Sequence, residues 1–141
     1  MAGNSSVIFL VIAIIIVGVL VFLAMMLNGK RGHKFNIEKY QTQWLAIENS
    51  LQQGNTASYS LAVINADKLL DEALKELRIP GQTMGERLKR SGSRFSQLNN
   101  VWAAHKMRNQ IAHEAGFQLE YKQARFALAS FRQALKDLGA I

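Results

Sequence analysis

The sequence predicts an all-α protein, a single transmembrane helix followed by a four- to five-helix antiparallel bundle. Three observations carry that prediction. Residues 7 to 27 run VIFLVIAIIIVGVLVFLAMML, with no charge and no strongly polar group. Beyond them apolar residues recur every third or fourth position, the period of an amphipathic helix, and no stretch alternates as a half-buried strand would. The chain has one proline, Pro80, and Gly54, Gly81, Gly92 and Gly116 separate the periodic stretches.

The 21 apolar residues make roughly 31 Å of helix at about 1.5 Å per residue, matching a hydrocarbon core of about 30 Å. A secretory signal would need a basic start, a shorter apolar region and a small-residue cleavage site. The opening MAGNSS has no basic side chain, and the run is too long. A buried core helix is the other alternative. The remainder of a 141-residue chain cannot easily enclose a helix that is apolar on every face.

The expected partition is a short extracytoplasmic N-terminus over residues 1–6, a transmembrane helix over 7–28, a basic linker over 29–35 and a helical domain over 36–141. Lys30, Arg31 and Lys34 follow the apolar run and nothing basic precedes it. The positive-inside tendency therefore predicts a single-pass protein with its N-terminus outside and its C-terminal domain in the cytoplasm. Every ionisable side chain lies after the run, so the soluble part carries the whole net charge of +7. Such a surface suits anionic headgroups or nucleic acid. With no cysteine, a disulfide scaffold and a thiolate zinc site are excluded.

In the soluble part, Asn36 can cap a first helix and Gly54 can end it. Ile37, Tyr40, Trp44, Ile47 and Leu51 form its apolar stripe. Thr56 opens a second helix reaching about Leu77, with Ala62, Val63, Ala66, Leu69, Leu70, Ala73, Leu74 and Leu77 inward. RIPGQT breaks the chain, and Thr83 with Glu86 three residues on reads as a new helix start. That third helix is short, from Met84 to about Arg90, and SGS ends it. A fourth runs from about Ser96 to His113, with Gly116 placed to terminate it. The last, about Glu120 to Leu138, turns Tyr121, Ala124, Leu128, Phe131, Leu135 and Leu138 inward and leaves Phe126 exposed. A core of this size is small, so a homodimer is expected.

The fourth helix carries the unusual chemistry, in RNQIAHE, Arg108 to Glu114. On a wheel at about 100° per residue, Leu98, Val101, Trp102 and Ala112 share an inward sector with His105 and Asn109, and Arg108 and His113 sit at its margins. Buried polar groups of this kind need partners. Asp67 and Asp71, at the edge of the second helix's apolar face, are the nearest acids. An Asp67–Arg108 or Asp67–His105 pair that only fixes helix register is one reading. The alternative is a phosphate site. From Arg87 to Arg108 there are six basic residues, Arg87, Lys89, Arg90, Arg94, Lys106 and Arg108, and no acid. That is the local field a polyanion such as RNA requires, although a solvated or lipid-facing surface would read the same way. Histidine can move a proton near neutral pH and a guanidinium can brace phosphate oxygens, as cleavage by an internal 2′-hydroxyl needs.

RNQIAH resembles the motif of the HEPN superfamily: an arginine, an adjacent polar residue and a histidine after a few intervening positions, late in one helix of a small all-α bundle. The resemblance covers about residues 36 to 141. It implies a dimer with a cleft at its interface, and in many members metal-independent ribonuclease activity; other members bind RNA, nucleotides or proteins without turnover. Carried onto this chain, His113 is the general acid/base, Arg108 the phosphate clamp and Asn109 the residue that orients them. Asp67, His105 and Glu114 would support these, and Arg87, Lys89, Arg90, Arg94 and Lys106 would face the RNA. No cofactor is expected. The N-terminal anchor departs from typical members. A metal site on His105, Asn109 and His113 is disfavoured, because histidines eight apart need an intervening ligand and asparagine is a poor one for zinc. The remaining alternative is a non-catalytic membrane protein that uses the motif for bundle packing, dimer packing or an unidentified protein partner.

Overall fold

The structure, a computed structural model, describes residues 2–28 and 33–141. Lys30 and Arg31 of the expected linker, and Met1, lie outside the described residues. The chain forms two compact units, Met1–Lys34 and Phe35–Ile141. Among the described residues there are helices and no strand. The first unit contains helix α1 (Ala2–Asn28). Its stretch Val7–Ala24 has a mean hydropathy of 3.5 and is long and apolar enough to cross a membrane. None of that stretch is buried inside protein.

The second unit comprises α2 (Ile37–Ser50), α3 (Thr56–Glu76), α4 (Met84–Ser91), a 3₁₀ turn (Gly92–Arg94), α5 (Leu98–His113) and α6 (Tyr121–Leu138). Asn36 caps α2, its side-chain oxygen accepting from the Lys39 N–H at 3.1 Å. Phe35, just before the cap, is buried and meets Tyr40 edge-on with ring centroids 5.3 Å apart. This is a hydrophobic staple, which fixes how the chain enters the helix. Two expectations change here. The domain starts at Phe35 rather than 36. Ile37, expected in the apolar stripe, is 49% exposed, while Phe35 packs on Tyr40.

Helix α3 is the central element and packs against α2, α4, α5 and α6. It opens at Thr56 as expected, and Asn55 caps it, accepting from the Ser58 N–H. The predicted inward face is buried from Ala62 to Leu74, with Leu77 partly so. Burying a side chain such as Leu70 or Leu74 contributes about 1.5–3 kcal/mol. Thr83 caps α4 by accepting from the Glu86 N–H at 3.2 Å, while Glu86 accepts from the Gln82 N–H at 2.8 Å.

Contacts at the helix ends give the directions. Tyr40 at the start of α2 donates to Glu76 at the end of α3, 2.7 Å away, so those helices run antiparallel. Burial, and then the Glu76 hydrogen bond and charge, push the Tyr40 phenol well above the ordinary tyrosine range. Ser96, ahead of α5, donates through N–H and hydroxyl to Asp137 near the end of α6, so α5 and α6 are also antiparallel. Tyr59 and Tyr121, both near helix starts, sit 5.5 Å apart, which makes α3 and α6 parallel. It follows that α3 and α5 are antiparallel.

The inward face of α5 differs from the wheel. Val101, Ala104 and His105 are buried, and Leu98, Met107 and Ile111 pack partly against the core. Trp102 is 37% exposed and Ala112 is exposed. Small Ala104 lets α5 approach its neighbours on a face rotated from the expected one by roughly 80°, nearly one residue step. The rotation moves Trp102, Asn109 and His113 out of the core.

A candidate phosphate-binding cleft between α3, α4 and α5

Those residues line a cleft of about 760 Å³. One wall is α3, with Ile64, Asp67, Lys68, Asp71 and Lys75; another is α5, with Trp102, His105, Arg108, Asn109 and His113. Gln82, Thr83, Met84, Gly85 and Arg87, around the start of α4, complete it. Four cations, Lys68, Lys75, Arg87 and Arg108, face two carboxylates, Asp67 and Asp71, leaving a surplus of two positive charges among the lining residues. A cleft so charged attracts anions.

The motif is held by a closed ring of contacts. Nδ1 of buried His105 is 2.7 Å from Oδ1 of buried Asp67. Nε2 of His105 is 3.3 Å from Nδ2 of Asn109. NH1 of Arg108 donates to Oδ1 of Asn109 at 3.4 Å, and Nε of Arg108 is 3.4 Å from Oδ2 of Asp67. Donor and acceptor chemistry then fixes the protons. Arginine can only donate, so the Asn109 oxygen must face it, and the Asn109 amide nitrogen donates to Nε2. Nε2 is therefore the bare nitrogen, and the His105 proton sits on Nδ1, facing Asp67. Arg108 Nε has an ion-pair contact with Asp67 but is buried without a well-aligned hydrogen bond.

Arg108 is thus braced from behind by Asp67 while a third of its side chain remains exposed. His113 is exposed in the same cleft, and its side chain has no hydrogen bond or ion pair among the described residues. Its ring is open to whatever enters.

The other expected residues divide. Arg87 lines the cleft but is only 5% exposed. Its Nε and NH2 donate to the two carboxylate oxygens of Asp71 at 2.7 and 3.1 Å, and its NH1 to the carbonyl of Gly81. It braces the start of α4 against α3 and is not an exposed RNA contact. Burial alone would raise the Asp71 carboxyl, but hydrogen bonds and charges from Arg87 and Lys75 outweigh it and hold the group below the usual range. Lys89, Arg90, Arg94 and Lys106 are exposed and stand outside the cleft. Glu114 caps the end of α5, accepting from Gln110, and is likewise outside it.

Lys68 and Lys75 supply cleft charge that the motif-centred reading missed. The signal was present: Lys68, Asp71 and Lys75 follow one another at three and four residues, with Asp67 beside Lys68, a polar stripe beside the apolar face of α3. Among the described residues no group of three or more His, Asp or Glu side chains is arranged to hold a metal ion. No protein-family model, curated protein or solved structure matches this chain.

Proposed function

We propose that the protein is a membrane-anchored HEPN-type ribonuclease that cuts single-stranded RNA as a homodimer, without a metal ion. The observation that supports it is the sharing of one positively charged cleft by Arg108, Asn109 and an open His113. In this reading His113 takes the proton from a ribose 2′-hydroxyl, whose oxygen attacks the adjacent phosphorus. Arg108 donates hydrogen bonds to the phosphate oxygens as charge builds on them. The bond to the 5′-oxygen breaks, that oxygen takes up the proton His113 had accepted, and a 2′,3′-cyclic phosphate remains. The ring through Asp67, His105 and Asn109 keeps the guanidinium from rotating away between turnovers. The second copy would close the open side of the cleft.

A second reading has its own support: the ring joins Asp67, His105, Asn109 and Arg108 to one another across α3 and α5, as a lock on helix register would. The same cleft would then hold RNA or a nucleotide without cutting it, or only pack the dimer. In either case we place the helical domain on the cytoplasmic face of a membrane, from the basic residues that follow the apolar helix.

The test is the full chain in detergent micelles, incubated with end-labelled single-stranded RNA in EDTA beside its His113→Ala variant. Cutting by wild type alone, with both proteins melting together, is the expected result. RNA retained but uncut by both leaves the binding reading, and neither binding nor cutting leaves the packing role.

A further inference from the structure

Trp102 is a large apolar side chain left in a wet, charged cleft. It is 37% exposed, whereas Trp44, the other tryptophan of the chain, is 4% exposed. One edge of its ring is supported. It stands edge-on to His105, with centroids 6.1 Å apart, and a Cβ added at Gly85 would lie 3.8 Å from its Cη2 and Cζ3. The indole is thereby supported by protein along one edge, and it lines the cleft with more than a third of its surface exposed. Exposing an indole forfeits burial energy, so an occupant that covers it is favoured. The occupant must also tolerate Lys68, Lys75 and Arg108 on the neighbouring walls. A single-stranded nucleic acid meets both conditions, with a flat base for the ring and phosphates for the cations.

Trp102, Asn109 and His113 lie on one side of α5, seven and eleven residues apart. At about 1.5 Å per residue, Trp102 is roughly 16 Å along the axis from His113. That exceeds the reach of one nucleotide. We infer that Trp102 is the stacking platform for an unpaired base on a nucleotide neighbouring the one whose phosphate sits at Arg108 and His113. The inference rests on reading the cleft as a phosphodiester site. It narrows the substrate class to single strands with an accessible base beside the cut, since a base inside a duplex already has both faces stacked.

The test uses the full chain in detergent micelles at low salt, with three labelled probes. They are a 2′-deoxyadenylate hexamer, which lacks the internal nucleophile and cannot be cut, an abasic hexamer of equal charge, and the hexamer paired with its complement. Wild type should bind the adenylate hexamer about tenfold or more tightly than the abasic one or the duplex, with quenching of tryptophan emission. Trp102→Ala should lose that preference and bind the two single strands alike; Trp102→Phe should keep most of it. A preference for the base-bearing hexamer that survives in Trp102→Ala overturns the platform while leaving the phosphodiester site intact. Failure of wild type to bind any probe overturns both. A merely structural role for Trp102 would weaken all probes in proportion, and that outcome also overturns the platform.

Discussion

His105 presents its protonated Nδ1 to Asp67 at 2.7 Å, and both side chains are buried where α5 crosses α3. The carboxylate also faces a second cation, since Arg108 Nε lies in ion-pair contact with its other oxygen at 3.4 Å. Asp67 is therefore the acid on which the polar ring closes. Removing it leaves a buried imidazole N–H and a partly buried guanidinium without their acceptor. Breaking such a pair costs about 3 kcal/mol when one partner is left behind. Asp67→Ala should lower unfolding stability by about that amount, read by circular dichroism in urea. Asp67→Asn, whose oxygen still accepts from Nδ1, should lose only roughly 1–2 kcal/mol. Equal urea midpoints for wild type and Asp67→Ala would mean the ring contributes nothing to folding.

Asp71 and Arg87 make a second lock whose pH dependence has a definite sign. The Asp71 carboxyl is held below its ordinary range despite burial, by Arg87 and Lys75. The unfolded chain binds that proton more readily than the fold does. Its stabilisation is thus complete above the ordinary aspartate value of about 3.9 and is lost as pH falls through the depressed folded value. Arg87→Met should flatten this acid limb and destabilise the domain at neutral pH, because Asp71 keeps Lys75 but loses its two-pronged partner. The measurement is the urea midpoint between pH 2 and 7. An acid limb unchanged in Arg87→Met would show that Asp71 owes its low value to other groups.

Helix number and the inward faces of α3 and α6 were legible because long amphipathic stretches bounded by glycines leave little choice of period. The cleft was only half legible. Arg108, Asn109, His113, Asp67 and His105 could be named because polar residues interrupted an otherwise apolar face. Which side of α5 points inward could not be read, since Trp102 outweighs Ala104 in any hydrophobic count while Ala104 permits the close approach that sets the packing. Arg87 looked like a surface cation for a similar reason: its partner Asp71 is sixteen residues away, brought close only by the break at Pro80 and Gly81. Phe35 reads as linker in the sequence because a residue before the cap shows its staple only once Tyr40 is seen beneath it.

The stretch Val7–Ala24 of α1 is not buried within the protein, so its stability in place depends on its surroundings. A lysine at its centre tests whether these surroundings are hydrocarbon. On insertion scales a central lysine costs about 2.5–3.5 kcal/mol. Ile15→Lys should shift the full chain from the carbonate-resistant membrane fraction towards the soluble one. The helical domain should melt unchanged. Full carbonate resistance in Ile15→Lys would argue that α1 is not held as a lone span.

Arg108 offers the finest test of what the ring is for. Its NH1 reaches Asn109 and its Nε faces Asp67, so two nitrogens of one planar group are held at once. Lysine preserves the charge but offers a single ammonium, which cannot lean on Asp67 and Asn109 and also aim donors into the cleft. Attraction of RNA depends mainly on charge, whereas stabilising the transition state depends on aimed donors. Arg108→Lys should therefore bind single-stranded RNA within a few-fold of wild type and cut it about 100-fold more slowly. Arg108→Ala should lose both, with a shallower salt dependence of binding. Cleavage at the wild-type rate by Arg108→Lys would reduce Arg108 to a point charge, and the ring behind it would then matter for folding alone.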